Sequence, residues 1–90
     1  MFEVRLSKKA GKFLNSLNEP DYSFLRNKLK DFAENPDRFK VKAMVGTPYY
    51  RVRFDNFMVI YTKDVRIINI EKIDRLKDVY RRLSRGYDER

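Results

Sequence analysis

The chain contains no cysteine and no histidine. Without thiols there can be no disulfide and no thiolate metal site. Without imidazole it lacks the commonest metal ligand and the base of every Ser-His or Cys-His nucleophile pair. Any catalysis must rest on Tyr, Lys, Arg or carboxylates, and neither a metal nor a cofactor is expected. Only three glycines occur, and they are scattered, so the sequence holds no Gly-rich phosphate loop. No apolar run approaches the roughly 20 residues of a membrane span. The opening segment, MFEVRLSKKAGKFL, has no long apolar run of the kind a signal peptide needs. The expectation is a cytoplasmic protein without a membrane partner.

What the sequence does have is positive charge. Its 90 residues carry 21 Lys+Arg against 13 Asp+Glu, a formal net charge of +8. On one small domain such an excess creates a field that attracts polyanions or acidic proteins. The plainer reading is a solvated surface tuned for solubility. A chain this short buries only about 60–65% of the surface its unfolded form exposes. A surface groove is therefore expected rather than a deep cavity. Residues 1–86 read as a single domain and residues 87–90 as a frayed tail.

Phe2, Val4 and Leu6 alternate with Glu3 and Arg5, which predicts a half-buried strand. Ser7 is placed to cap a helix whose Ala10, Phe13, Leu14 and Leu17 fall on one stripe. Pro20 suits the first turn of a second helix, with Tyr22, Leu25, Leu29, Phe32 and Ala33 at helical spacing, ended by Asn35-Pro36. The short connection makes the two helices an antiparallel hairpin. Residues 37–48 read mostly as loop. A β-hairpin follows, with Tyr50, Val52 and Phe54 facing inward, Tyr49, Arg51 and Arg53 outward, and Asp55-Asn56 at the turn. Residues 57–62 are apolar on both faces, as in a central strand covered on each side. A last strand is expected over Val65–Ile70, then a helix capped by Asp74 with Leu76, Val79, Tyr80 and Leu83 on its apolar face. The fold class is α+β in the order β-α-α-β-β-β-α. The N-terminal helical hairpin packs on a small, mostly antiparallel sheet, and a helix ends the chain.

Arg51 and Arg53 share one strand face about 7 Å apart, a spacing comparable to that of consecutive RNA phosphates. Tyr49 shares that face and can stack on a base, a contact worth roughly 1–3 kcal/mol in single-strand binders. The alternative is a solvated face whose basic side chains protect an edge. Tyr80 groups with core residues by helical position, yet neighbouring arginines favour its phenolate and would suit it to act as a base. Arg75 and Lys42 are further candidate phosphate ligands. A helix-turn-helix over residues 7–34 is disfavoured, because Asp21, Asp31 and Glu34 lie on the would-be recognition helix.

The order of elements, the segment YYRVRFDNFMVIY from Tyr49 to Tyr61, and the segment KDVYRR from Lys77 to Arg82 resemble the RelE/ParE toxin superfamily. The resemblance spans nearly the whole chain. It implies a monomeric toxin held in a hetero-oligomer by an acidic antitoxin. RelE-type members cleave mRNA in the ribosomal A site by attack of the ribose 2′-OH on the adjacent phosphate, whereas ParE-type members poison DNA gyrase. Carried over by position, Arg51, Arg53, Lys42, Tyr49 and Arg81 would hold the RNA, and Tyr80, Arg53 and Arg75 would form the catalytic set. Two positions depart from the pattern. Met58 stands where the family has a catalytic arginine, and Arg75-Leu76 replaces a His-Arg pair. Loss of a charge that stabilises a transition state commonly costs about 10²–10³ in rate. The sequence therefore leaves two expectations: an mRNA endoribonuclease, or a non-cleaving relative that is either a gyrase inhibitor or a toxin without nuclease activity.

Overall fold

The computed structural model describes residues 1–79. Its elements are β1 (Glu3–Leu6), α1 (Lys8–Asn15), α2 (Asp21–Glu34), a 3₁₀ turn (Pro36–Arg38), β2 (Val41–Ala43), β3 (Tyr50–Phe54), β4 (Phe57–Lys63) and β5 (Ile67–Arg75). Residues 76–79 are helical. The five strands form one sheet in the order β1-β5-β4-β3-β2. Only β1 and β5 pair in parallel; the other neighbours are antiparallel. This is the α+β class expected from the sequence.

The helices cover one face of the sheet. Ala10 and Leu14 of α1 and Leu25, Leu29 and Phe32 of α2 meet Val52, Phe54, Phe57, Val59, Tyr61, Ile68, Ile70 and Ile73 in one core. Phe32 lies at its centre, edge-on to Tyr61 at 5.1 Å, Phe39 at 5.3 Å and Phe54 at 5.7 Å between ring centroids. Each such edge contact adds roughly 0.5–1.5 kcal/mol to the burial itself.

Local chemistry sets the junctions. The Ser7 hydroxyl accepts the Ala10 N–H at 3.0 Å, so the expected cap forms. The same hydroxyl donates to the Glu71 carbonyl at 2.6 Å, tying the start of α1 to β5. At α2, Pro20 occupies the cap position and the Glu19 carboxylate accepts from the Ser23 N–H and hydroxyl. Those bonds hold the Glu19 carboxyl below its ordinary pKa, because they favour the charged form. Asp55 adopts φ 54 in the β3–β4 turn, a left-handed angle that aspartate tolerates.

The elements depart from the sequence reading in three places. Residues 41–43 pair with β3 instead of forming loop; all three are exposed, so burial left no alternating pattern to read. A short, lysine-bearing edge of this kind resists pairing with other chains. Second, β5 runs to Arg75 rather than ending at Ile70, so Asp74 lies in a strand and does not cap a helix. A bulge explains this. Tyr61 pairs with Ile70 and Ile60 with Lys72, which leaves Glu71 as the extra residue and returns Ile73 to the core face. Third, α1 ends at Asn15, so Leu17 packs from the connection rather than from the helix. The turn at Asp55-Asn56 and the end of α2 before Pro36 lie where expected.

Candidate nucleic-acid interface

Alternation along β3 sends Val52 and Phe54 into the core and leaves Arg51 and Arg53 exposed on the opposite face. Register then decides their neighbours. Lys42 of β2 stands directly across from Arg51, and Ile60 of β4 stands on its other side, opposite Lys72 of β5. One row across the sheet therefore reads Lys42, Arg51, Ile60, Lys72. The next reads Arg53, Met58, Asp74. From these rows Lys42, Arg51, Arg53 and Met58 line an open groove of about 590 Å³, together with Lys40, Val41 and Val79.

The charge in this groove is unevenly compensated. Lys72 pairs with Asp74 at 3.4 Å. Among the described residues, Lys42, Arg51 and Arg53 have no carboxylate at salt-bridge distance. Like charges directly opposite on neighbouring strands destabilise a sheet by up to about 1 kcal/mol. An anion bound between Lys42 and Arg51 removes that repulsion, so the arrangement favours an anionic ligand over an empty groove.

Arg53 is also oriented. Its Nε–H donates to the Asp55 carbonyl at 2.9 Å, which aims the guanidinium along the rim beside the turn. Fixing one edge of a planar guanidinium leaves the terminal nitrogens for a two-point contact with phosphate. The same turn supports the chain after β5, since the Leu76 N–H donates to the Asn56 carbonyl at 2.8 Å.

The structure brings Lys42, Arg51 and Arg53 together and sends Arg75 elsewhere. Arg75 pairs across from Phe57, on the helix side of the sheet. Its Nη2 lies 3.3 Å from an Asp21 carboxylate oxygen, and its guanidinium lies 5.3 Å from the centroid of the Phe57 ring. Tyr49 precedes β3, half-buried, with its amide bonded to the Thr47 hydroxyl and its carbonyl accepting from Met44; it is not part of the groove lining. Tyr80, Arg81, Arg82 and Leu83 lie outside the described residues, as does the 87–90 tail. Lys40 was missed by the sequence reading. Its signal was the Lys-x-Lys spacing of Lys40 and Lys42, which falls on one face only once β2 is known to be a strand. The described residues hold no cluster of acidic, His or Cys side chains suited to a metal. No helix among them is long and apolar enough to cross a membrane.

With this geometry in view, solved structures supply the comparison. A RelE–RelB complex from the archaeon Pyrococcus horikoshii OT3 matches at TM-score 0.68 and 25% identity, over 83% of this chain and 94% of that one. The fold is that of the RelE toxins. A RelBE toxin–antitoxin complex from Mycobacterium tuberculosis matches this RelE-like chain at TM-score 0.69 and 18% identity, covering 82% and 96% of the two chains. The isolated E. coli RelE toxin matches at TM-score 0.66 and 16% identity, covering 97% and 99%. No protein-family model and no curated protein sequence matches.

Proposed function

We propose that this RelE-like chain is the toxin of a toxin–antitoxin pair that blocks translation by gripping and cutting mRNA in the ribosomal A site. The observation that carries the reading is the groove in which Lys42, Arg51 and Arg53 converge without acidic partners among the described residues. Its cations run along adjacent strands, an arrangement suited to a single-stranded phosphate backbone. The fold adds support: two of the three structures compared above are RelE–RelB or RelBE complexes, so an acidic antitoxin is the expected partner.

In this reading the groove neutralises the scissile phosphate while the ribose 2′-oxygen attacks it. A 2′-O–P bond forms, the P–O5′ bond breaks, and a cyclic phosphate and a 5′-hydroxyl result. Arg53, held by Asp55, supplies fixed positive charge to the crowded phosphate. By resemblance to the family, Tyr80 takes the 2′-hydroxyl proton, and the departing 5′-oxygen takes a proton from water. Arg75, facing Asp21, acts as a structural tie on the opposite face.

Induced expression in growing cells tests this. Growth should stop and new mRNA 5′ ends should fall at defined codon positions, both suppressed by Arg51→Ala with Arg53→Ala. Normal growth with uncut mRNA would rule the reading out. A second reading, a toxin that binds without cutting, is favoured by one observation: Met58 occupies the groove opposite Arg53 where the family carries an arginine. Growth arrest with intact mRNA would select it, and an accompanying DNA-damage response would point to gyrase.

A further inference from the structure

A second recess lies around the corner from the groove, and Arg53 belongs to both. It has a volume of about 320 Å³ and is lined by Phe24, Lys28, Phe39, Phe54, Asp55 and Arg53. Phe24 and Phe39 are half-buried. Phe39 is braced edge-on against Phe32 at 5.3 Å and Phe54 at 5.4 Å, and Phe24 leans on Phe57 at 6.5 Å. The core thus fixes both rings while leaving each partly open. Lys28 Nζ stands 5.8 Å from the Phe24 ring centroid, near the outer limit of an attractive cation–π contact, so moving it to a phosphate costs little.

We infer that this recess is a nucleobase subsite, where one base of a single-stranded RNA stacks on Phe24 or Phe39 while Lys28 and Arg53 hold its flanking phosphates. The inference rests on the proposed RNA-binding groove, which it extends past Arg53 by one nucleotide. Three features favour a nucleotide over a plain apolar ligand. The recess is continuous with the phosphate-binding groove through a shared arginine. Its walls are aromatic and its rim is cationic, the pairing that single-strand binders use. Finally, Asp55 is on its lining, and a carboxylate accepts hydrogen bonds only, which favours a base with an exocyclic amino group, such as cytosine through N4, over uracil, whose one base N–H donor is N3–H.

The test uses the purified full chain and short single-stranded RNAs, with affinity read by fluorescence anisotropy across a salt series. Phe24→Leu should lower affinity about 5- to 100-fold, the range of one lost base stack, while Phe24→Tyr should stay near wild type. Lys28→Ala should weaken binding and reduce the magnitude of the logarithmic salt slope by about 0.7, one lost phosphate contact. Cytidine 5′-monophosphate should shift the NMR ring-proton signals of Phe24 and Phe39 more strongly than uridine 5′-monophosphate, and Asp55→Asn should remove that difference. Normal affinity and slope in both Phe24→Leu and Lys28→Ala, with Arg51→Ala still weakened, would overturn the subsite and leave the groove intact. Unchanged binding in Arg51→Ala as well would overturn the groove itself.

Discussion

Arg53 and Met58 face each other across β3 and β4 on the open side of the sheet, and both line the basic groove. The arginine is held from behind by the Asp55 carbonyl. The thioether opposite it brings no charge to a bound phosphate. In the proposed cleavage reaction the pair would set how strongly the groove stabilises a developing negative charge.

Replacing that thioether tests the point. Asp74 stands on the other side of position 58, so Met58→Arg would have a carboxylate across the sheet to offset repulsion from Arg53. The substitution should raise the rate of RNA cleavage by about 10²–10³, with a much smaller change in KM. Single-turnover cleavage on programmed ribosomes is the measurement. An unchanged rate would mean that position 58 does not face the scissile phosphate.

Arg75 offers the opposite expectation. It sits on the helix face with Asp21 and Phe57, away from the groove. Both partners of the ion pair are partly exposed, with side-chain relative accessibilities of 36% and 44%, so screening by water limits its worth to about 0–1 kcal/mol. Arg75→Ala should leave RNA affinity and its salt dependence unchanged while lowering the urea midpoint slightly. A loss of affinity equal to that of Arg51→Ala would place Arg75 among the RNA ligands after all.

How much of this was legible in the sequence follows from where burial leaves a pattern. Val52 and Phe54 enter the core between exposed arginines, so the hairpin and the basic face of β3 could be read directly. β2 could not, because Val41, Lys42 and Ala43 are all exposed and carry no alternation. The end of β5 was hidden by the bulge at Glu71, which puts Ile70 and Ile73 on one face at a spacing of three, as a helix would. The separation of Arg75 from Arg51 and Arg53 also depends on that bulge. It is a property of register, which spacing along a single strand does not reveal.

Tyr61 makes stability pH-dependent at the alkaline end. Burial, with Tyr50 stacked on it at 5.6 Å, pushes its phenol from 10.0 up to about 12. The folded chain thus keeps its proton longer than the unfolded chain, whose phenol ionises first. Tyr61's contribution to stability is therefore undiminished below pH 10 and is lost as pH rises from 10 to about 12. Urea unfolding across that window should show the decline in the wild type and a shallower one in Tyr61→Phe. Equal slopes in the two proteins would contradict a buried neutral phenol.

The most direct test of the groove's function is cleavage of a defined mRNA on purified ribosomes with an A-site codon exposed, comparing the wild type with Arg51→Ala and Arg53→Ala. Cutting at the A-site codon by the wild type, with each substitution slowing it about tenfold or more through loss of one phosphate contact, is the expected result. An uncut message under saturating protein, or cutting that both substitutions leave at the wild-type rate, would contradict it.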